Sequence, residues 1–204
     1  KYTEALLRQM MEYAPYAKDY LVDTIYIGGG TPTCVDKRFL KIILEGIRAG
    51  FHVAPDAEIT CEANPSSSLK PTLKALEEAG VNRLSFGLQS VIEEELSDLG
   101  RLHDFPDFVR AYRDARDLGF DNISVDIMFS LPKQTPEKLK NTLDAVVSMG
   151  PEHVSAYSLK IEQGTKFYEW YKEGLLEVPN DEEDRELYKH CVTTLEQAGY
   201  HQYE

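Results

Sequence analysis

The sequence predicts an α/β fold, a parallel sheet with helical crossovers that is either doubly wound or closing toward a (β/α) barrel. Three observations predict it. Helical stretches stop on a repeated signal, an apolar or small residue followed by glycine, at Gly50, Gly80, Gly119, Gly150 and Gly199. Glycine favours the left-handed cap that ends a helix. These stops lie 30, 39, 31 and 49 residues apart, the spacing of βα units rather than of a short solenoid repeat. Finally, 204 residues with 42% hydrophobic content suit one domain with a sizeable core, and no low-complexity linker divides them.

In order, helices are expected at 3–13, 37–49, 69–79, 105–118, 136–149 and 182–198, and strands at 24–28, 57–63, 83–88, 122–129 and 153–160. Pro136 stands at a first helical position, where its missing N–H costs nothing. Acidic residues 181–184 suit the start of the last helix through its dipole. Strand side chains alternate between faces. Ile59, Cys61 and Ala63 oppose Thr60, Glu62 and Asn64; Leu84, Phe86 and Leu88 oppose Ser85, Gly87 and Gln89. On the fourth strand Ile123, Val125 and Ile127 oppose Ser124, Asp126 and Met128. Each strand thus has a greasy face for helices and a small or polar face. A closed barrel ordinarily fills its interior with branched apolar residues, so this pattern predicts a wide polar lumen holding a ligand near the carboxyl ends.

Charge narrows the function classes. Lys and Arg number 22 against 35 Asp and Glu, a formal net charge of -13. That excludes a basic nucleic-acid surface and disfavours an anionic membrane face. No apolar run reaches membrane-span length and no signal peptide opens the chain. Cys34, Cys61 and Cys191 are too few for a disulfide scaffold, which points to a reducing cytoplasm. The chain opens at Lys1 in a helical pattern without an initiator Met and stops at Glu204 where a new strand is expected. Both ends predict a piece of a longer protein.

Several residues are candidates for chemistry. Gly28-Gly29-Gly30-Thr31-Pro32 sits where a strand ends; it is neither a dinucleotide fingerprint nor a Walker loop. It reads as a tight turn or as a close backbone approach to a ligand. Glu62 and Asp126 interrupt apolar strands, where isolated charge is costly. They read as ion pairs with Arg83 or Arg101, or as acceptors for a polar ligand. Gln89 adds an amide and Arg101 a fixed positive charge, the latter open to pairing with Asp98 or Asp104. His52, His103, His153, His190 and His201 show no metal-ligand spacing, so no metal site is expected. Phe167, Tyr168, Trp170 and Tyr171 read as packing or as a face for a flat tetrapyrrole.

Taken together, Gly28-Gly29-Gly30-Thr31-Pro32-Thr33, Cys61-Glu62-Ala63-Asn64-Pro65 and Asn-Arg-Leu-Ser-Phe-Gly-Leu-Gln-Ser at 82–90 form a characteristic series. It continues with Leu-Gly-Arg-Leu-His at 99–103, Val-Asp-Ile-Met-Phe-Ser-Leu-Pro-Lys-Gln-Thr at 125–135 and His-Val-Ser-Ala-Tyr-Ser-Leu at 153–159. From about residue 20 onward the chain resembles the radical S-adenosylmethionine (SAM) proteins of the oxygen-independent coproporphyrinogen III oxidase family. The segments Ile-Glu-Gln-Gly-Thr-Lys-Phe-Tyr at 161–168 and Pro-Asn-Asp-Glu-Glu at 179–183 look closer to its heme-chaperone branch, HemW.

The resemblance implies a partial (β/α)6 TIM-like barrel with SAM across the C-terminal strand ends. Gly29, Gly30 and Thr31 would present backbone to its methionine end, and Glu62, Gln89, Arg101 and Asp126 would contact its polar groups. All but Arg101 of the latter four coincide with inward positions found by alternation. The resemblance also implies a 4Fe–4S cluster, held in this family by a C-x-x-x-C-x-x-C loop. No such spacing occurs here, so its ligands are expected upstream of Lys1; a cluster-less homologue is the alternative.

Two function classes follow from the resemblance. The chaperone branch binds heme and delivers it to an accepting protein. The oxidase branch, supplied by an electron donor, abstracts hydrogen from coproporphyrinogen III propionates through a 5′-deoxyadenosyl radical. A barrel lyase or hydrolase that does not use SAM is the third alternative.

Overall fold

The glycine stops mark real helix ends, and the strand–helix alternation is the one the chain adopts. A computed structural model describes residues 1–66 and 69–204. In order come α1 (Tyr2–Tyr13), β1 (Val22–Ile27), α2 (Lys37–Gly50), β2 (Val53–Ala63), α3 (Lys70–Glu78) and β3 (Arg83–Gln89). Then follow α4 (Glu93–Asp98), α5 (Phe105–Asp117), β4 (Ile123–Phe129), α6 (Pro136–Met149), β5 (His153–Ser158), α7 (Lys166–Lys172) and α8 (Asp181–Gln197). The strands are hydrogen-bonded in the order β1-β2-β3-β4-β5. Pairing is parallel for β1 with β2, β2 with β3 and β4 with β5. Sheet order equals chain order, as expected when each strand returns by a helix to lie beside the one before it.

By its contacts the chain divides into two compact units, 1–86 with 109–123 and 87–108 with 124–204. In the first, Leu40, Ile43 and Leu44 of α2 and Leu73 and Leu76 of α3 are buried, as are Ile59, Cys61 and Ala63 of β2. Their spacings are those of one helix face and one strand face. In the second unit α6 buries Leu139, Leu143 and Val146, and α8 buries Leu187 and Cys191. Val125, Ile127 and Leu131 are also buried there.

Helix starts follow side-chain capping. Asp36 accepts from Arg38 N at 3.0 Å to open α2, and Thr135 accepts from Lys138 N at 3.2 Å to open α6. Asn180 opens α8 in a capping box with Glu183. At the other ends Gly80, Gly119, Gly150 and Gly199 adopt the left-handed conformation. Gly50 corrects the expectation. It lies inside α2, whose cap is Phe51 in extended conformation at φ -131, because Phe51 N bonds back to Ile47 O at 2.9 Å and the chain leaves directly into β2.

Other boundaries move as well. β1 and β2 begin two and four residues earlier than expected, and β5 ends at Ser158 rather than 160. The short helices α4 and α7 were not foreseen, nor were the 3-10 turns Ala14–Tyr16 and Pro32–Cys34. Among the described residues no helix is long and apolar enough to cross a membrane.

Candidate functional site

In the first unit the site begins at the carboxyl end of β1. Ile27 pairs with Cys61 in register, which sets Glu62 of β2 beside the glycine turn. The Glu62 carboxylate takes two donors: Tyr26 Oη donates to Oε1 at 2.9 Å and Gly29 N to Oε2 at 3.1 Å. Gly28 is required by this approach. A Cβ there would meet the Glu62 carboxyl carbon at 2.5 Å and the Tyr26 ring at 2.6 Å. Gly29 has φ +86, and a Cβ on Gly29 or Gly30 would meet nothing within 4 Å. The turn therefore presents bare backbone to open space, the form that lets a ligand come close to main-chain donors. The next residue, Thr31, accepts from Asn64 Nδ2 at 3.0 Å, which fixes the far side of the turn to the segment following β2.

Arg83, one expected alternative partner of Glu62, goes elsewhere. Its guanidinium lies 4.0 Å from Glu58 and 3.3 Å from Thr60 Oγ1. β3 explains this: Arg83 sits in register with Thr60, two residues before Glu62 on β2.

In the second unit Gln89 closes β3. It is 2% exposed and has φ 71, a conformation non-glycine residues seldom adopt. Its Oε1 accepts from Tyr157 Oη on β5 at 3.0 Å. Asp126 stands in register with Ser155 on β5, half-buried between the fully buried Val125 and Ile127. Arg101 follows the left-handed Gly100 that ends α4, with Arg101 N bonded to Leu96 O at 2.9 Å. The expected alternative, a pair with Asp98 or Asp104, is not formed; Asp104 instead caps α5 by accepting from Asp107 N at 2.7 Å.

The structure thus joins Gly29 directly to Glu62, places Thr31 against Asn64, and puts Gln89 and Asp126 in the second unit on adjoining stretches of strand. Sequence reasoning missed Tyr26 and Tyr157 as the partners of Glu62 and Gln89. Both were legible as hydroxyl-bearing residues in the motifs at 24–28 and 153–159. It also missed Glu95, which is 2% exposed. Burial pushes the Glu95 carboxyl above the usual range, against the opposing effect of its hydrogen bonds to Ser90 and Gln134. His103 is also buried; desolvation pushes its pKa down although Leu88 O lies 3.3 Å from its Nε2.

The residues fit one group implied by the resemblance and not the other. Open backbone at Gly29 and Gly30 beside a carboxylate suits a zwitterionic ligand such as the methionine end of SAM. The cysteines do not suit a 4Fe–4S cluster. Cys34 is exposed, while Cys61 and Cys191 are buried and burial pushes each thiol up to about 12. Among the described residues no three Cys, His, Asp or Glu side chains gather as a metal site. Phe167 and Trp170 of α7 pack edge to face at 5.8 Å, with Trp170 41% exposed.

Known proteins resemble this chain in sequence and in fold. The radical SAM superfamily model matches residues 1–146. The chain is 38% identical over its full length to "Heme chaperone HemW" of Bacillus subtilis, covering 54% of that protein. It is also 38% identical over 90% of its length to the mouse "Radical S-adenosyl methionine domain-containing protein 1, mitochondrial", covering 41% of it. The chain spans about half the length of the curated relatives it matches. Among solved structures, coproporphyrinogen III oxidase (HemN) from Escherichia coli, described as a radical SAM enzyme, superposes with a TM-score of 0.85 at 27% identity. That match covers 97% of this chain and 45% of the other. The fold expected from the sequence, parallel strands with outer helices in the partial-barrel arrangement of these proteins, is therefore shown. With the family model matching well over half of its residues, the chain belongs to the radical SAM superfamily.

Proposed function

We propose that this chain is the SAM-binding core of a cytoplasmic radical SAM protein of tetrapyrrole metabolism, of the heme-chaperone branch, that binds heme and passes it to an accepting protein. The observation that carries the reading is identity of 38% along the whole chain to a relative named as a heme chaperone. Membership of the superfamily implies SAM and a 4Fe–4S cluster; the thiolates for that cluster come from outside these residues. When bound, SAM and a reduced cluster supply one-electron chemistry, for which an electron donor is the further partner.

This chain's own contribution is binding and orientation. Gly29, Gly30 and Thr31 offer backbone to the methionine end of SAM. Glu62, already turned toward the glycine loop, accepts from its ammonium group. Gln89, Arg101 and Asp126 take its remaining polar groups. All of residues 1–204 are assigned to this core.

A second reading, oxidative decarboxylation of coproporphyrinogen III, is favoured by the structural likeness to HemN at a TM-score of 0.85. One pair of measurements separates the two. Heme titrated into the full-length protein and followed by absorbance is expected to bind stoichiometrically. Anaerobic incubation with SAM, a reductant and coproporphyrinogen III is expected to give no protoporphyrinogen IX. Turnover to protoporphyrinogen IX without saturable heme binding overturns the chaperone reading.

A further inference from the structure

Glu93, Glu94 and Glu95 open α4 as a run of three carboxylates, yet the third is buried. A lone ionised carboxyl out of water is costly, so its contacts carry information. Glu95 Oε2 accepts from Ser90 Oγ at 2.5 Å and from Gln134 Nε2 at 3.3 Å. Ser90 Oγ also accepts from Ile92 N at 2.9 Å, so its single proton is free to point at the carboxylate. The second Gln134 amide proton goes to Met128 O at 3.4 Å. Thr142 of α6 accepts from Val91 N and lies 3.3 Å from Ser90 Oγ. Ser90, Glu95, Gln134 and Thr142 are all at most 7% exposed.

The cluster therefore links the turn after β3 to the loop after β4, and braces both against α6. The turn it braces begins at Gln89, whose φ of 71 is held only if the surroundings over-determine it. Gln89 is gripped on its side chain by Tyr157 and on its chain neighbour, Ser90, by Glu95.

We propose that Glu95 is a positioning residue for the SAM site: through Ser90 and Gln134 it holds the β3 turn so that the Gln89 amide stays at the strand end. The proposal rests on the reading of Gln89 as a SAM contact. Glu95 Oε1 and Gln134 Oε1 are buried without partners. An amide at position 95 keeps an oxygen that can accept from Ser90 and Gln134.

The test is SAM affinity of the full-length, cluster-loaded protein by titration calorimetry. Glu95→Leu deletes the link; it is expected to weaken SAM about tenfold, the scale of one lost hydrogen bond. Glu95→Gln is expected to restore binding to within about twofold of wild type. In the double variant with Gln89→Ala, Glu95→Leu is expected to add nothing, because its effect passes through Gln89. Ser90→Ala repeats the cycle should Glu95→Leu not fold. Additive losses, or wild-type affinity in Glu95→Leu beside a weakened Gln89→Ala, overturn the positioning role alone. Unchanged affinity in Gln89→Ala overturns it together with the assignment of Gln89.

Discussion

Glu62, Gln89 and Asp126 were legible in the sequence because each is a polar residue on a strand face whose opposite face is apolar. Glu95 was not legible, because the two glutamates before it give it the pattern of a solvated helix start. In the fold it is buried and accepts from Ser90 and Gln134. That burial has a measurable consequence. The folded state holds the Glu95 carboxyl above its ordinary value of 4.5, with desolvation outweighing the nearby Lys138 and with Glu94 adding to it. The folded protein then binds more protons than the unfolded chain, so the contribution is full at low pH and is lost as pH rises through the folded value. His103 shifts the other way; its contribution is full above 6.5 and is lost as pH falls. His103 is common to wild type and Glu95→Gln and cancels in their difference. Melting temperatures from about pH 4 to pH 8 are therefore expected to fall in wild type relative to Glu95→Gln as pH rises. Parallel curves contradict a buried, shifted carboxyl.

At the scale of elements, the signals that worked were chemical punctuation. Pro136 behind Thr135 marked the start of α6, and the acidic run behind Asn180 marked α8. Four of the five glycine stops are left-handed caps. Gly50 failed because a helix can also end by passing straight into an extended residue, and glycine alone does not distinguish the two exits. α4 and α7 escaped notice because helices of six and seven residues carry less than two full turns of periodicity. Gly80 shows how strict a true cap is. It has φ +85, and a Cβ there would meet the Arg48 guanidinium at 2.5 Å, where Arg48 bonds Ala79 O at 2.7 Å. Gly80→Ala is expected to cost roughly 1–2 kcal/mol for the left-handed alanine, with some further loss as Arg48 moves. Urea unfolding measures it; a loss no larger than that of an exposed Gly→Ala at an ordinary backbone angle contradicts the strain.

For the whole molecule, the βα spacing of the glycine stops points to the class of fold, and the ordered motifs point to the family. The register of β1 on β2, which turns Glu62 onto Gly29, had no sequence signal beyond the glycines themselves. It depends on Gly28 admitting a carboxylate where any side chain would collide. The central claim is that the polar strand-end residues of this chain bind SAM, and Asp126 tests it most directly. In the full-length, cluster-loaded protein, Asp126→Ala is expected to weaken SAM by at least about tenfold in titration calorimetry while circular dichroism stays that of the folded protein. Wild-type affinity in a folded Asp126→Ala protein would contradict the account.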